Sequence, residues 1–557
     1  MRKKQVLAMG LSLLFAFSSL VGCGFTGGSE KTEAAKAESS GAATEAKVDA
    51  QAAGGDQVLS VVAEAEIKTL VPWMVSENQT FLVLNQAQEG LFRMDKDNIP
   101  QPALCEKYEV SDDKLHYTFH LRDAKWSNGE PVKAEDFVFA WLKQMNADAG
   151  NGYSFIMTDY IVNGEEYNAG TAKAEDVAVK AVDEKTLEVD LKSPTPYFLN
   201  LTTMTMFFPV NEKFYNEQGE KFSISPENML FCGPYQITEY DPSVGVSFVK
   251  NDQYWDKDNV KIEKAKVRVM KDASAALNAY QAGELSQVKL TSADVAANEN
   301  SPEFSKSVDF RTTYLQFNLT DPVLGNVNMR KAISLAFDRQ LLVKSILADG
   351  SAAGTGLVAD GLAGDGKKSF RELNGEVSPF NKEEAAEYYK KAVEELGKAP
   401  ESITLLIGDD SVLKTIATFM QSELEKNLGL KVEIDTKTMQ GRGQQMDAND
   451  YQMGLTGWGA DYDDAMTYLD LWTNGTPYRG NYKNDAYNAL IKAAKTETDD
   501  AKRLQEMLDA EKMLCSEDAV VAPVVHRGSA MLTKPNVKNL ITHPIGVPME
   551  FKYAYFE

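Results

Sequence analysis

KLHYTFHLRDAKWSNGEPVKAEDFVFAWL, residues 114–142, carries the chain through a strand, a turn and a helix in that order. Leu115, Tyr117, Phe119 and Leu121 alternate with polar residues, the period-two pattern of a strand with one buried face. Asp123 to Pro131 supplies turn residues, Asn128-Gly129 among them. Ala134-Glu135-Asp136 then opens a helix in which Phe137, Val138, Ala140, Trp141 and Leu142 are spaced for one buried face. A strand that feeds a helix in this way predicts a mixed α/β chain.

The neighbouring sequence repeats the mixture. VLSVVA at 58–63 is a β-branched apolar run bounded by Gly54-Gly55, and strands follow at about 184–191 and 245–250, around the turn Ser193-Pro-Thr-Pro196. Asn328 to Leu347 reads as one helix through Ala332, Ile333, Ala336, Phe337, Leu341 and Ile346. Strands at 402–407 and 430–434 flank a helix at 411–428, and another helix runs over 501–514. No repeat stands out at a fixed period. The roughly 500 residues after Gln57 suffice for two or three domains.

The N-terminus sets the compartment. Arg2, Lys3 and Lys4 precede an apolar stretch from Val6 to Val21, which is the length of a signal-peptide core and short for a bilayer span of roughly 20 residues. It ends in Leu20-Val21-Gly22-Cys23, which resembles the lipobox of bacterial lipoproteins. That resemblance implies a signal peptide over 1–22 and a lipid on the Cys23 thiol. The mature chain would then sit on the extracytoplasmic face of the cell membrane, in the Gram-positive manner. Residues 23–57 are mostly Gly, Ala, Ser, Glu and Lys, too poor in apolar surface to offset ordering, and read as a flexible tether behind Cys23.

Composition excludes several function classes. Formal net charge is −24 and no basic cluster stands out, so nucleic acid is a poor partner. Besides Cys23 there are Cys105, Cys232 and Cys515; an odd, widely spaced set is no disulfide framework, and any one pair among them stays open. His116 and His120 lie four residues apart on a strand, about 13 Å, too far to share a metal. Asp461-Tyr-Asp463-Asp464 lacks the Gly and closing Glu of an EF-hand loop. No HExxH, Gly-x-Ser-x-Gly or phosphate-binding Gly-rich loop occurs. No metal, cofactor or catalytic residue is therefore expected, and a large exported chain without visible chemistry reads as a binder.

Four ordered blocks extend that reading. Leu121 to Phe137, Gly233-Pro-Tyr235 with Asn251-Asp-Gln-Tyr254-Trp255, Asn328 to Arg339, and Gly457-Trp458-Gly-Ala-Asp461-Tyr462 with Tyr468-Leu469 are similar to the oligopeptide- and dipeptide-binding proteins of ABC importers, solute-binding family 5. The resemblance covers essentially all of 58–557. It implies a two-lobed periplasmic-binding-protein type II fold with a hinge and an extra inserted domain. Lobe I would take 58–90, 213–312 and 526–557, the inserted domain 91–212, and lobe II 313–525. Hinge crossings would fall at Thr312-Thr313 and Val525-His526.

The same resemblance implies a monomer that captures peptides between its lobes and delivers them to ABC importer permease subunits. Asp461 matches the family's aspartate for the peptide amino terminus, and Gly457 and Trp458 form the adjoining pocket wall. Tyr314, at the start of lobe II, is expected to line the cleft, as is Tyr153, with Tyr160 the competing position. The chain departs from Gram-negative binders where those meet the peptide carboxylate: Leu455 replaces an arginine, and 409–417 contains no histidine. Arg442 and Arg479 are the candidate replacements. Gly459 stands at one cysteine position of the family's pocket disulfide, which is expected to be absent. The alternatives are another ligand on this fold (a nickel complex, haem or a glycan), a peptide-signal receptor, or an exported hydrolase, and Asp461 favours a cationic amine over an anion.

Overall fold

The computed structural model describes residues 57–75, 77–150, 153–473 and 475–557. The expected signal peptide, Cys23 and nearly all of the tether lie outside the described residues. The fold is mixed α/β, as the strand–turn–helix reading predicts, and it is built on three main sheets.

The first sheet orders the strands Val58–Ala63, Lys264–Val269, Gly245–Lys250 and Tyr235–Asp241, with the first pair parallel. The second is wholly antiparallel and orders Cys105–Val110, His116–Leu121, Thr186–Asp190 and Val179–Asp183. In it Tyr117, Phe119 and Leu121 point into the core while His116 and His120 are partly exposed, the alternation seen in the sequence. The helix Ala134–Met145 follows, and its Asp136 explains the block before it. That buried carboxylate accepts from the Lys133 backbone N–H and from Trp126 Nε1, each at 3.0 Å, so one side chain both starts the helix and anchors the turn.

The third sheet positions the site. Two long strands, Phe304–Phe317 and Val521–Thr533, run antiparallel, and Phe304–Phe317 also pairs with Met453–Gly459 on its other edge. Beyond that lie Ile403–Gly408 and Val432–Lys437. Leu315, Phe317, Ile333, Ile403, Leu405 and Leu455 pack with Ile416 and Met420 of the helix Ser411–Leu428 into one buried cluster. The pairing of the long strands shifts register between Val308 and Thr312 and again between Thr313 and Tyr314. There Thr312 faces His526 and Thr313 faces Val525.

One element departs from the sequence expectation. The single helix read over 328–347 is broken: an α-helix covers Val327–Leu335, and a second turn begins at Arg339 and continues as a π-helix over Leu342–Leu347. Asp338 caps the restart, accepting from Leu341 N–H at 3.0 Å. The break turns Arg339 inward, where it donates to the Pro523 and Ser334 carbonyls at 2.7 and 2.9 Å. A buried guanidinium must find such acceptors, and an unbroken helix would not present it to strand Val521–Thr533.

Candidate functional site

A cavity of about 490 Å³ opens beside the third sheet. Thr456, Gly457, Trp458 and Gly459, from the end of strand Met453–Gly459, form one wall, and Ala460 and Asp461 continue it. The long strands add Arg311, Thr313 and Arg527. Asp410 and Leu413 come from the start of helix Ser411–Leu428, and Met439 and Arg442 from helix Met439–Asp447. The remaining lining residues are Asn78, Phe81, Tyr153, Met204 and Gly546.

The wall strand has an open edge. Its pairing with Ile403–Gly408 covers only Met453 and Gly454, so beyond them one edge has no strand partner among the described strands. On its other side Gly457 faces Thr313, and a Cβ on Gly457 would lie 2.9 Å from the Thr312 carbonyl oxygen. Only glycine lets the two strands approach this closely beside the cavity.

The three carboxylates of Asp461-Tyr-Asp463-Asp464 have separate fates. Asp464 is buried and accepts two hydrogen bonds from Arg503, at 2.7 and 2.9 Å. Asp463 accepts from the Ala363 backbone N–H at 2.8 Å. Asp461 anchors its loop through its own backbone N–H, which donates to Thr467 Oγ1 at 3.1 Å. Among the described residues no side chain donates to its carboxylate, and burial pushes that group up to about 6. A desolvated carboxylate facing a cavity without a counter-ion is set to receive a cation.

The cavity also holds cations without anions. Among the described residues, no carboxylate pairs with Arg311, Arg442 or Arg527. Arg442 is nearly buried, donating to the Leu455 carbonyl at 3.0 Å and to Tyr478 Oη at 3.4 Å. Trp458 is half-buried, with the Arg479 guanidinium 5.4 Å from its ring centre.

Of the residues singled out in the sequence, Asp461, Trp458, Gly457 and Tyr153 border the cavity, together with Arg442. Tyr160 packs edge-on to Tyr197 instead. Tyr314 does not line the cleft: it is fully buried, its hydroxyl bonded to Arg479 at 2.5 Å and its ring edge-on to Trp472. Strand alternation is the reason, because Arg311 and Thr313 face the cavity and Tyr314 takes the opposite face. Arg479 is thereby engaged behind the wall. Sequence reading missed Arg311, Thr313 and Arg527, although the parity of strand Phe304–Phe317 could have indicated Thr313.

Residues 100–480 match the family described as bacterial extracellular solute-binding proteins, family 5. The dipeptide-binding protein DppE of Bacillus subtilis is 32% identical over 558 residues, which covers 99% of each chain. The solved structure of Listeria monocytogenes OppA bound to peptide superposes with a TM-score of 0.74 at 35% identity, over 90% of this chain and 99% of that one. The pheromone receptor PrgZ, solved with its mode of peptide binding, gives a TM-score of 0.75 at 32% identity, over 90% of this chain and 100% of that one.

Proposed function

Because the chain belongs to bacterial extracellular solute-binding protein family 5, we propose that it captures peptides in the cavity beside Asp461 and delivers them to the permease subunits of an ABC importer. Membership brings the two-lobed α/β binding-protein fold, and the family binds solutes rather than catalysing reactions.

The observation that carries the peptide reading is the Asp461 carboxylate, desolvated, unpaired and bordering the cavity. A peptide's α-ammonium supplies the missing cation, and a charge-assisted pair in a closed cleft is strong and directional. The open edge of strand Met453–Gly459 supplies the second element, backbone groups that pair with an extended peptide whatever its side chains. Gly457, Trp458 and Tyr153 shape the side-chain space around it.

The lobes are assigned as 58–90, 213–312 and 526–557, as 313–525, and as an inserted domain over 91–212. Support comes from the register shifts beside Thr312-Thr313 and Val525-His526, and from a cavity that draws lining residues from all three parts. Lobe closure about those crossings buries the ligand. The protein acts as a monomer, anchored to the outer face of the membrane by lipid on Cys23.

A second reading, receptor for a peptide signal, is favoured by the likeness to PrgZ. Native mass spectrometry of the full-length protein in detergent, followed by sequencing of whatever is released, tests the substrate class. Mixed peptides are expected for uptake and a single peptide for signalling, whereas one non-peptide mass overturns both. N-acetylated peptides should bind poorly, and a Cys23→Ala variant should leave the membrane or accumulate as precursor.

A further inference from the structure

We propose that the cavity selects peptides carrying an acidic side chain, held by the neighbouring guanidinium groups of Arg311 and Arg527. The inference rests on the peptide reading above and adds the class of peptide.

Charge distribution carries it. The chain has 82 acidic and 58 basic side chains, a formal net charge of −24. Chance would therefore line a cavity with carboxylates. Instead the lining contains Arg311, Arg442 and Arg527 against Asp461 and Asp410. Asp410 is already engaged as a helix cap, accepting from Val412 and Leu413 backbone N–H groups at 2.9 and 3.0 Å. Elsewhere in the described residues Arg93, Arg268, Arg371 and Arg503 each pair with a carboxylate. Arg122, Arg330, Arg339 and Arg479 donate instead to carbonyl or hydroxyl oxygens, and so does Arg442; among the described residues Arg311 and Arg527 do neither.

Position sharpens the assignment. Thr312 and His526 face each other on the two long strands, so Arg311 and Arg527 flank that pair at the register shift. Like charges on neighbouring strands repel, and without an anion the arrangement is unfavourable. Asp309, the carboxylate these strands carry, is close enough to feel both guanidinium groups but contacts neither; it accepts from Ser529 Oγ at 3.1 and 3.2 Å and leaves both arginines free to bind a ligand. Among the described residues neither guanidinium makes a hydrogen bond. A zwitterionic peptide satisfies Asp461 with its ammonium and one arginine with its terminal carboxylate. Arg442, already oriented by the Leu455 carbonyl, is placed for the latter. That leaves Arg311 and Arg527 with surplus charge, and a Glu or Asp side chain matches two adjacent guanidinium groups.

The test is calorimetric titration of the full-length protein in detergent with tetra- and pentapeptides of alanine carrying Glu or Gln at each internal position in turn. At one position Glu should bind about tenfold more tightly than Gln, the scale of a charge-assisted pair. In the Arg311→Gln/Arg527→Gln variant the ratio should fall to about one, and Arg311→Lys should retain part of it. Thermal unfolding of each variant establishes that it is folded. Equal binding of Glu and Gln peptides at every position overturns acidic selection while peptide binding stands. Failure of every peptide to bind overturns both readings. If amidation of the peptide's C-terminus, and not Glu→Gln, removes the effect of the variants, the pair holds the terminal carboxylate and the proposal is wrong.

Discussion

The rings of Tyr197 and Tyr462 lie parallel, 4.0 Å apart at their centres and inclined by 4°. Tyr462 directly follows Asp461, and Tyr197 lies in the segment that also brings Tyr153 and Met204 to the cavity. The stack thus joins two walls of the site. Arg503, fixed by Asp464, sits 5.9 Å from the Tyr197 ring centre and steadies it from one side. Tyr197→Leu keeps most of the apolar volume and removes the ring pair, worth about 0.5–1.5 kcal/mol. Peptide affinity should fall several-fold, mainly through faster dissociation, as stopped-flow fluorescence would read. An unchanged dissociation rate would mean that the stack does not hold the walls together.

Arg93 is the hub of a buried ionic network just beyond the C-terminal end of the helix Asn78–Ala87. It contacts Glu89 at 2.7 Å and Glu550 at 2.6 Å, and donates to the Asn85 and Gln88 carbonyls at 3.0 and 3.1 Å. Tyr254 and Trp255 complete Glu89 from the second family block. Arg93→Met leaves two buried carboxylates without their cation, which should destabilise the protein by about 3–5 kcal/mol. Urea denaturation measures this directly, and a loss below about 1 kcal/mol would show that the two carboxylates do not depend on Arg93 for their burial.

Gly457 and Gly459 make a matched pair of tests. A Cβ at 457 meets the Thr312 carbonyl at 2.9 Å, whereas one at 459 meets the Arg311 side chain at 3.4 Å and no backbone atom nearer than the Phe310 carbonyl at 4.0 Å. Backbone cannot step aside as a side chain can. Gly457→Ala should therefore destabilise by about 1–3 kcal/mol and weaken peptide binding several-fold, while Gly459→Ala should be mild in both. The comparison needs thermal melts and one titration for each variant. Equal effects would refute the close-approach account.

How much of this was readable beforehand follows physical range. The strand–turn–helix block at 114–142 and the helix at 411–428 were legible because their signals are local, alternation and turn residues among them. The break at Asp338 was not, since it turns on the bond from Arg339 to the Pro523 carbonyl, 184 residues further along the chain. The same holds at the site. Asp461, Gly457, Trp458 and Tyr153 came through family resemblance and border the cavity. Tyr314 was placed on the wrong face of its strand. Arg311 and Arg527 carry no local signature, because they become neighbours only through the pairing of two distant strands.

The pH dependence of Asp461 separates a binding role from a structural one. Its carboxyl, ordinarily near 3.8, is pushed up to about 6 by burial alone. In the ligand-free protein it is ionised at pH 7 and increasingly neutral below 6. The ammonium then loses its partner, so affinity should fall between pH 7 and 5, approaching about tenfold per unit once below 6. Stability moves the other way. The folded state holds this proton more tightly than the unfolded chain, so stability is greatest below about 3.8 and declines as pH rises through 6. Asp461→Asn removes the burial penalty of the charge. At pH 7 the ligand-free variant should be more stable by up to about 3 kcal/mol, with the gain vanishing near pH 4. It should also bind peptides more weakly by about 2–5 kcal/mol, with a flat profile between pH 5 and 7. Opposite movements of stability and affinity are the mark of a carboxylate kept for a ligand. A variant that melts lower and binds as before would make Asp461 a structural residue.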